Sequence, residues 1–140
     1  MKEYFKNNFA KVYYDETQDA LFLEYTAKVP NDEQFIIVNQ AVLDAFTKLN
    51  TQKFVADIRK MGIISVSAQS WVLKNLLPGM FKHLNGKKLF HVQFLDASEI
   101  LSKVSAANIK NKSAQVATDF EVKQVSTDAE LRAYLKGVGK

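Results

Sequence analysis

The chain has 140 residues, 47% of them hydrophobic and 24% charged, an ordinary balance for one globular domain over 1–140 that buries a core without staples. It contains no cysteine, which excludes disulfides, thiolate catalysis and cysteine-ligated metals. The net charge is +4, and the basic residues are spread out, densest at Lys82–His83, Lys87–Lys88 and the series Lys103, Lys110, Lys112, whereas nucleic-acid binders gather such charge on one element with aromatics interleaved.

The lysines therefore read as a solvated face, and no nucleic-acid partner is expected. The apolar runs are short, Phe35-Ile36-Ile37-Val38 among them, so no membrane span is expected. Met1 to Lys6 lacks the apolar core of a secretion signal. A soluble, cytoplasmic protein is the expectation.

In chain order, Ala10–Tyr14 and Ala20–Tyr25 are β-like and flank the polar turn Asp15-Glu16-Thr17-Gln18-Asp19. Two strands with a short polar link read as an antiparallel hairpin. Asn31 then caps a helix, with Gln34 three residues on to complete a capping box. Phe35, Val38, Val42, Ala45, Phe46 and Leu49 recur at helical spacing, so one broad face is buried. Lys53 to Ile58 is a short apolar strand without alternation, the pattern of a strand covered on both faces. Residues 66–84 are helical, but Pro78 removes a donor and disfavours the helical conformation at Leu77, so a kink or break is expected there. Asn85-Gly86 supplies a left-handed stop.

Leu89 to Leu95 forms the next strand. Asp96 with Glu99 opens a helix to about Asn108, followed by a polar loop over 110–119. Phe120 to Val125 alternates as a last strand, and Thr127 with Glu130 caps a short helix ending near Gly137. Strands alternating with helices give an α/β fold: a single mixed, mostly parallel β-sheet flanked by helices and opening with an antiparallel hairpin. In it, strands 53–58 and 88–95 are parallel neighbours.

Residues 9–135 resemble the SpoIIAA-like (STAS-like) family of small bacterial proteins. The resemblance rests on the tyrosine-rich strand Lys11-Val12-Tyr13-Tyr14-Asp15, the centre "DIRKMGIISVSAQSW" followed by "LLPGMF", the lead-in Gly86-Lys87-Lys88 and the closing "FEVKQVSTDAELRAYL". The centre is its most specific part. It implies a mixed sheet flanked by helices and action by binding rather than catalysis. Some relatives are regulatory protein–protein domains switched by serine phosphorylation, and others are suspected of holding apolar or lipid-like ligands. The regulated antagonists carry Asp-Ser-Ser-Gly at the strand–helix junction, where this chain has Ile64-Ser65-Val66-Ser67. The phosphoswitch does not carry over.

The junction supplies the candidate site. Asp57 ends a buried strand, at the rim where open α/β sheets place ligands. Arg59, two residues on, points the same way. The pair is an anion grip, or a structural unit in which Asp57 accepts loop donors and Arg59 pairs with it. Ser65 is the expected helix cap, and a phosphate on it or on Ser67 would meet the positive end of a helix dipole. Asp96 shares the rim with Asp57, but it caps a helix and no third acid accompanies the two, so no metal is expected. His83 suits a helix C-terminus, and His91 lies mid-strand with no triad or two-histidine motif. Trp71, Met80 and Phe81 are core residues, or they wall an apolar pocket between the sheet and helix 66–84.

The sequence thus predicts a non-enzymatic binding module without cofactor, acting on an unknown protein partner. The alternative is a carrier of a small apolar ligand. A homodimer is compatible with both.

Overall fold

The computed structural model describes residues 1–95 and 120–138. One sheet joins six strands in the order β1 (Lys2–Lys6), β2 (Ala10–Asp15), β3 (Ala20–Tyr25), β4 (Lys53–Asp57), β5 (Leu89–Phe94) and β6 (Phe120–Val125). β1, β2 and β3 are antiparallel, and β3 to β6 run parallel. The mixed α/β sheet and the parallel pairing of β4 with β5 are as the sequence predicts. β1 was not expected. It has charged residues at both ends and a register shift between Glu3 and Phe5, and it adds a third antiparallel strand outside the hairpin.

The hairpin turn forms because Asp15 accepts hydrogen bonds from the Thr17 backbone and hydroxyl and from Gln18 Nε2, at 3.0, 2.7 and 2.8 Å. Asp19 closes it in the left-handed region at φ 52°, a conformation Asp tolerates better than most residues.

Three helical segments lie on one face. α1 (Asp32–Phe46) starts where Asn31 accepts a bond from the Gln34 N–H. α2 (Val66–Trp71) runs into a π-helical turn, Val72–Leu76, and then α3 (Leu77–Leu84). The π turn is the break expected at Pro78. The Leu77 N–H reaches back five residues to the Val72 carbonyl, and the widened turn lets the chain stay helical through a proline that cannot donate. Asn85 (φ 51°) and Gly86 (φ 92°) end α3 as expected. Phe54 and Ala56 of β4 face this layer, with Val38, Val42, Leu76 and Met80.

α4 (Asp128–Gly137) covers the other face. Thr127 caps it through the Glu130 N–H at 3.1 Å. Its Leu131 and Leu135, one turn apart, pack on Val55, Val92 and Phe94. β4 is therefore covered on both sides, as its unbroken apolar run implied. The helix expected over 96–108 and the loop over 110–119 lie outside the described residues. Among the described residues no helix is long and apolar enough to cross a membrane.

Candidate functional site

β4 ends at the carboxyl rim with Asp57, which is buried. Its two carboxylate oxygens accept from Arg59 Nε and Nη2 at 2.9 and 2.7 Å, and the Arg59 backbone N–H adds a third bond at 3.3 Å. The fork is bidentate, the strongest geometry for such a pair. The Arg59 guanidinium also lies 4.1 Å from the centroid of the Phe94 ring on β5, so it is stacked as well as paired. The Asp57–Arg59 pairing of the structural reading is thus formed.

Glu24 of β3 is the register partner of Asp57. Tyr13 donates to Glu24 Oε1 at 3.3 Å, and Lys11 Nζ lies 3.8 Å from the same oxygen. Burial, reinforced by the Glu24 and Asp57 carboxylates, pushes the Tyr13 hydroxyl well above its ordinary range, so it stays a protonated donor. Its ring stacks on Phe22 with centroids 5.2 Å apart.

The loop from β4 to α2 alternates buried anchors with exposed residues. Met61 and Ile64 enter the core, and the Met61 carbonyl accepts from the Val29 N–H. Gly62 turns the chain at φ 83°, a conformation that costs other residues. Between and after these anchors, Ile63 and Val66 stand 63% and 65% exposed.

Ser65 caps α2, as expected, by accepting the Ala68 N–H at 3.0 Å. Its hydroxyl also donates to Asp32 Oδ1 at 2.7 Å. Asp32 belongs to the first turn of α1, so one hydroxyl ties together two helix N-termini. A phosphate on Ser65 would meet the α2 dipole but also the Asp32 carboxylate. Ser67 is exposed on the first turn of α2.

The expected apolar pocket between the sheet and helix 66–84 exists, with a different wall. A cavity of about 40 Å³ opens beneath α1 and the π turn. Val72 and Leu76 line it from the helix, and Trp71, Met80 and Phe81 do not. Met80 is fully buried in the core, while Trp71 and Phe81 pack half-buried against it. The sequence offered these three as core residues or pocket walls, without showing which would stand over a void.

Four polar side chains converge on the cavity: Tyr25, Asn39, His91 and Gln93. Asn39 Nδ2 donates to Tyr25 Oη at 3.2 Å and to the Phe35 carbonyl at 2.9 Å. His91 stacks on Phe54 with centroids 5.0 Å apart, and burial lowers its pKa to about 4. It is neutral at pH 7. A space of this size takes a few waters; sites for drug-sized ligands run to about 300 Å³ or more.

Asp96 lies outside the described residues, and with it the two-carboxylate rim. Among the described residues no three His, Asp or Glu side chains form a metal-binding group. Asp32, Ile63 and Val66 carry no local signal that marks them as site residues.

No family model, curated protein or solved structure matches the chain.

Proposed function

We propose that this protein is a non-enzymatic binding module of the SpoIIAA-like kind, and that the β4–α2 junction is its contact surface for a protein partner. The exposure of Ile63 and Val66 on either side of Ser65 supports this most directly. Their neighbours Met61, Ile64 and Ala68 are buried, so the loop is held rather than loose, and the two apolar side chains are presented on a fixed frame. Apolar groups held out this way suit the centre of an interface, with Ser65, Ser67 and Lys60 as a polar rim.

Affinity purification followed by native mass spectrometry tests it. The wild type retains a partner protein that Ile63→Asp/Val66→Asp loses, while both melt at the same temperature. Equal retention by the variant would remove the junction from the interface. Steady turnover of a substrate, lost on Asp57→Asn, would make the protein an enzyme.

The second reading, a carrier of a small apolar ligand, is favoured by the mostly apolar cavity with its Tyr25, Asn39, His91 and Gln93 groups. It requires α1 and the π turn to part, because about 40 Å³ is too small for such a ligand. A retained lipid-sized mass in the same spectra would support it.

A further inference from the structure

At the opposite end of β4 from Asp57, about 13 Å away at strand rise, the side chain of Lys53 is buried. An ammonium carries three N–H donors. One goes to the Leu135 carbonyl at 2.9 Å, in the last turn of α4. Lys53 lines a cleft of about 440 Å³ between the β2–β3 turn and the end of α4. Arg132 and Lys136 line it from α4, and Gln18 and Asp19 from the turn.

Gln18 makes the cleft more than a basic patch. Its Nε2 must face Asp15, whose carboxylate can only accept. That orientation leaves Gln18 Oε1 buried with no hydrogen-bond partner among the described residues. A buried acceptor without a donor costs stability of order 1 kcal/mol or more. The cleft therefore combines a buried cation with two donors to spare, two further cations, and an acceptor in need of an O–H.

Three carboxylates surround this charge, and each already holds a donor. Asp15 accepts from Gln18 at 2.8 Å, Asp19 from the Tyr14 hydroxyl at 2.7 Å, and Asp128 pairs with Arg132 at 2.6 Å. Three cations and three acids balance formally, and among the described residues Lys53 and Lys136 are in no ion pair with a carboxylate. Lys53 also offsets the negative carbonyl end of α4, which would otherwise repel an anion.

We propose that this cleft binds a small phosphate monoester, with its oxyanion on Lys53, Arg132 and Lys136 and a hydroxyl donated to Gln18 Oε1. The volume lies within the range of small-molecule sites. Phosphate oxygens match the spare Lys53 donors and the Arg132 fork. The site is independent of the partner surface proposed above, since it lies at the other end of the sheet.

The test is an amide chemical-shift titration of the full chain at constant ionic strength, with inorganic phosphate, glycerol 3-phosphate and uncharged glycerol as probes. Saturable shifts are expected around Gln18, Asp19 and Lys53 with glycerol 3-phosphate, weaker ones with phosphate and none with glycerol. Arg132→Gln/Lys136→Gln changes only exposed side chains and is expected to weaken binding at least tenfold. The two single variants supply the same reading if the double one loses its fold. No saturable shift at millimolar probe, or equal affinity in the variants, overturns the proposal. So does an attraction that disappears at physiological salt.

Discussion

Ser65 is where helix capping and helix–helix attachment meet, so its substitution separates the two. Ser65→Ala removes the acceptor for the Ala68 N–H and the donor to Asp32. Loss of a serine cap costs about 1 kcal/mol. The exposed hydroxyl–carboxylate bond adds about 0.5 kcal/mol, the low end for a hydrogen bond in water. Ser65→Asp keeps the cap and gains about 0.5 kcal/mol from the α2 dipole. It also faces Asp32 with a like charge, which costs about 1 kcal/mol at about 4 Å in a near-aqueous medium, and it loses the donated bond. Aspartate is therefore expected to destabilise by about 1 kcal/mol, although as a cap alone it would be tolerated. Urea denaturation of both variants, alone and with Asp32→Asn, forms a double-mutant cycle. Asp32→Asn should rescue Ser65→Asp by about 1 kcal/mol and leave Ser65→Ala unrescued. Wild-type stability of Ser65→Asp without Asp32→Asn would show that the two helix N-termini are not joined in solution. An unchanged Ser65→Ala would refute the cap.

Gly79→Ala is expected to lose about 1 kcal/mol in the same assay, although this change gains a similar amount on an exposed helix. The new Cβ would lie 2.7 Å from Leu43 Cδ1 and 2.8 Å from Cδ2, so α1 and α3 must shift or Leu43 must swing away. His91 makes stability pH-dependent. Its pKa falls from 6.5 to about 4 on burial, so the unfolded chain binds more protons between these values and stability drops as the pH falls through that window. The loss is about 3 kcal/mol, complete below pH 4, and His91→Leu should flatten the denaturation midpoint against pH across it.

Much of the fold is legible because its signals are local. The Asn31, Ser65 and Thr127 caps, the Asn85–Gly86 stop and the period of α1 each occupy one short stretch, and each is realised. β1 escaped because an edge strand solvated on much of its surface carries neither clean alternation nor an apolar run. Lys2, Glu3 and Lys6 are all exposed, as befits a protected edge. The π turn showed itself only as a misfit at Pro78. The site was less legible, because its contacts cross the chain. Ser65 meets Asp32 from 33 residues away, and Tyr25, Asn39, His91 and Gln93 reach one cavity from β3, α1 and β5. Only Asp57 and Arg59, two residues apart, form a pair that spacing alone could suggest.

The strands stand in space in the order in which they occur along the chain. Each therefore finds its neighbour already made as synthesis proceeds, and none must be inserted between two strands paired earlier. The hairpin of β2 and β3 has the shortest loop to close, and β4 then joins it after a single crossover. Assembly of this kind spreads the entropy of ordering over successive small steps. It also leaves the growing sheet with an open parallel edge until the next strand arrives. β6 is followed by α4, so the packing of Leu131 and Leu135 on Val55, Val92 and Phe94 forms only after β6 has been made.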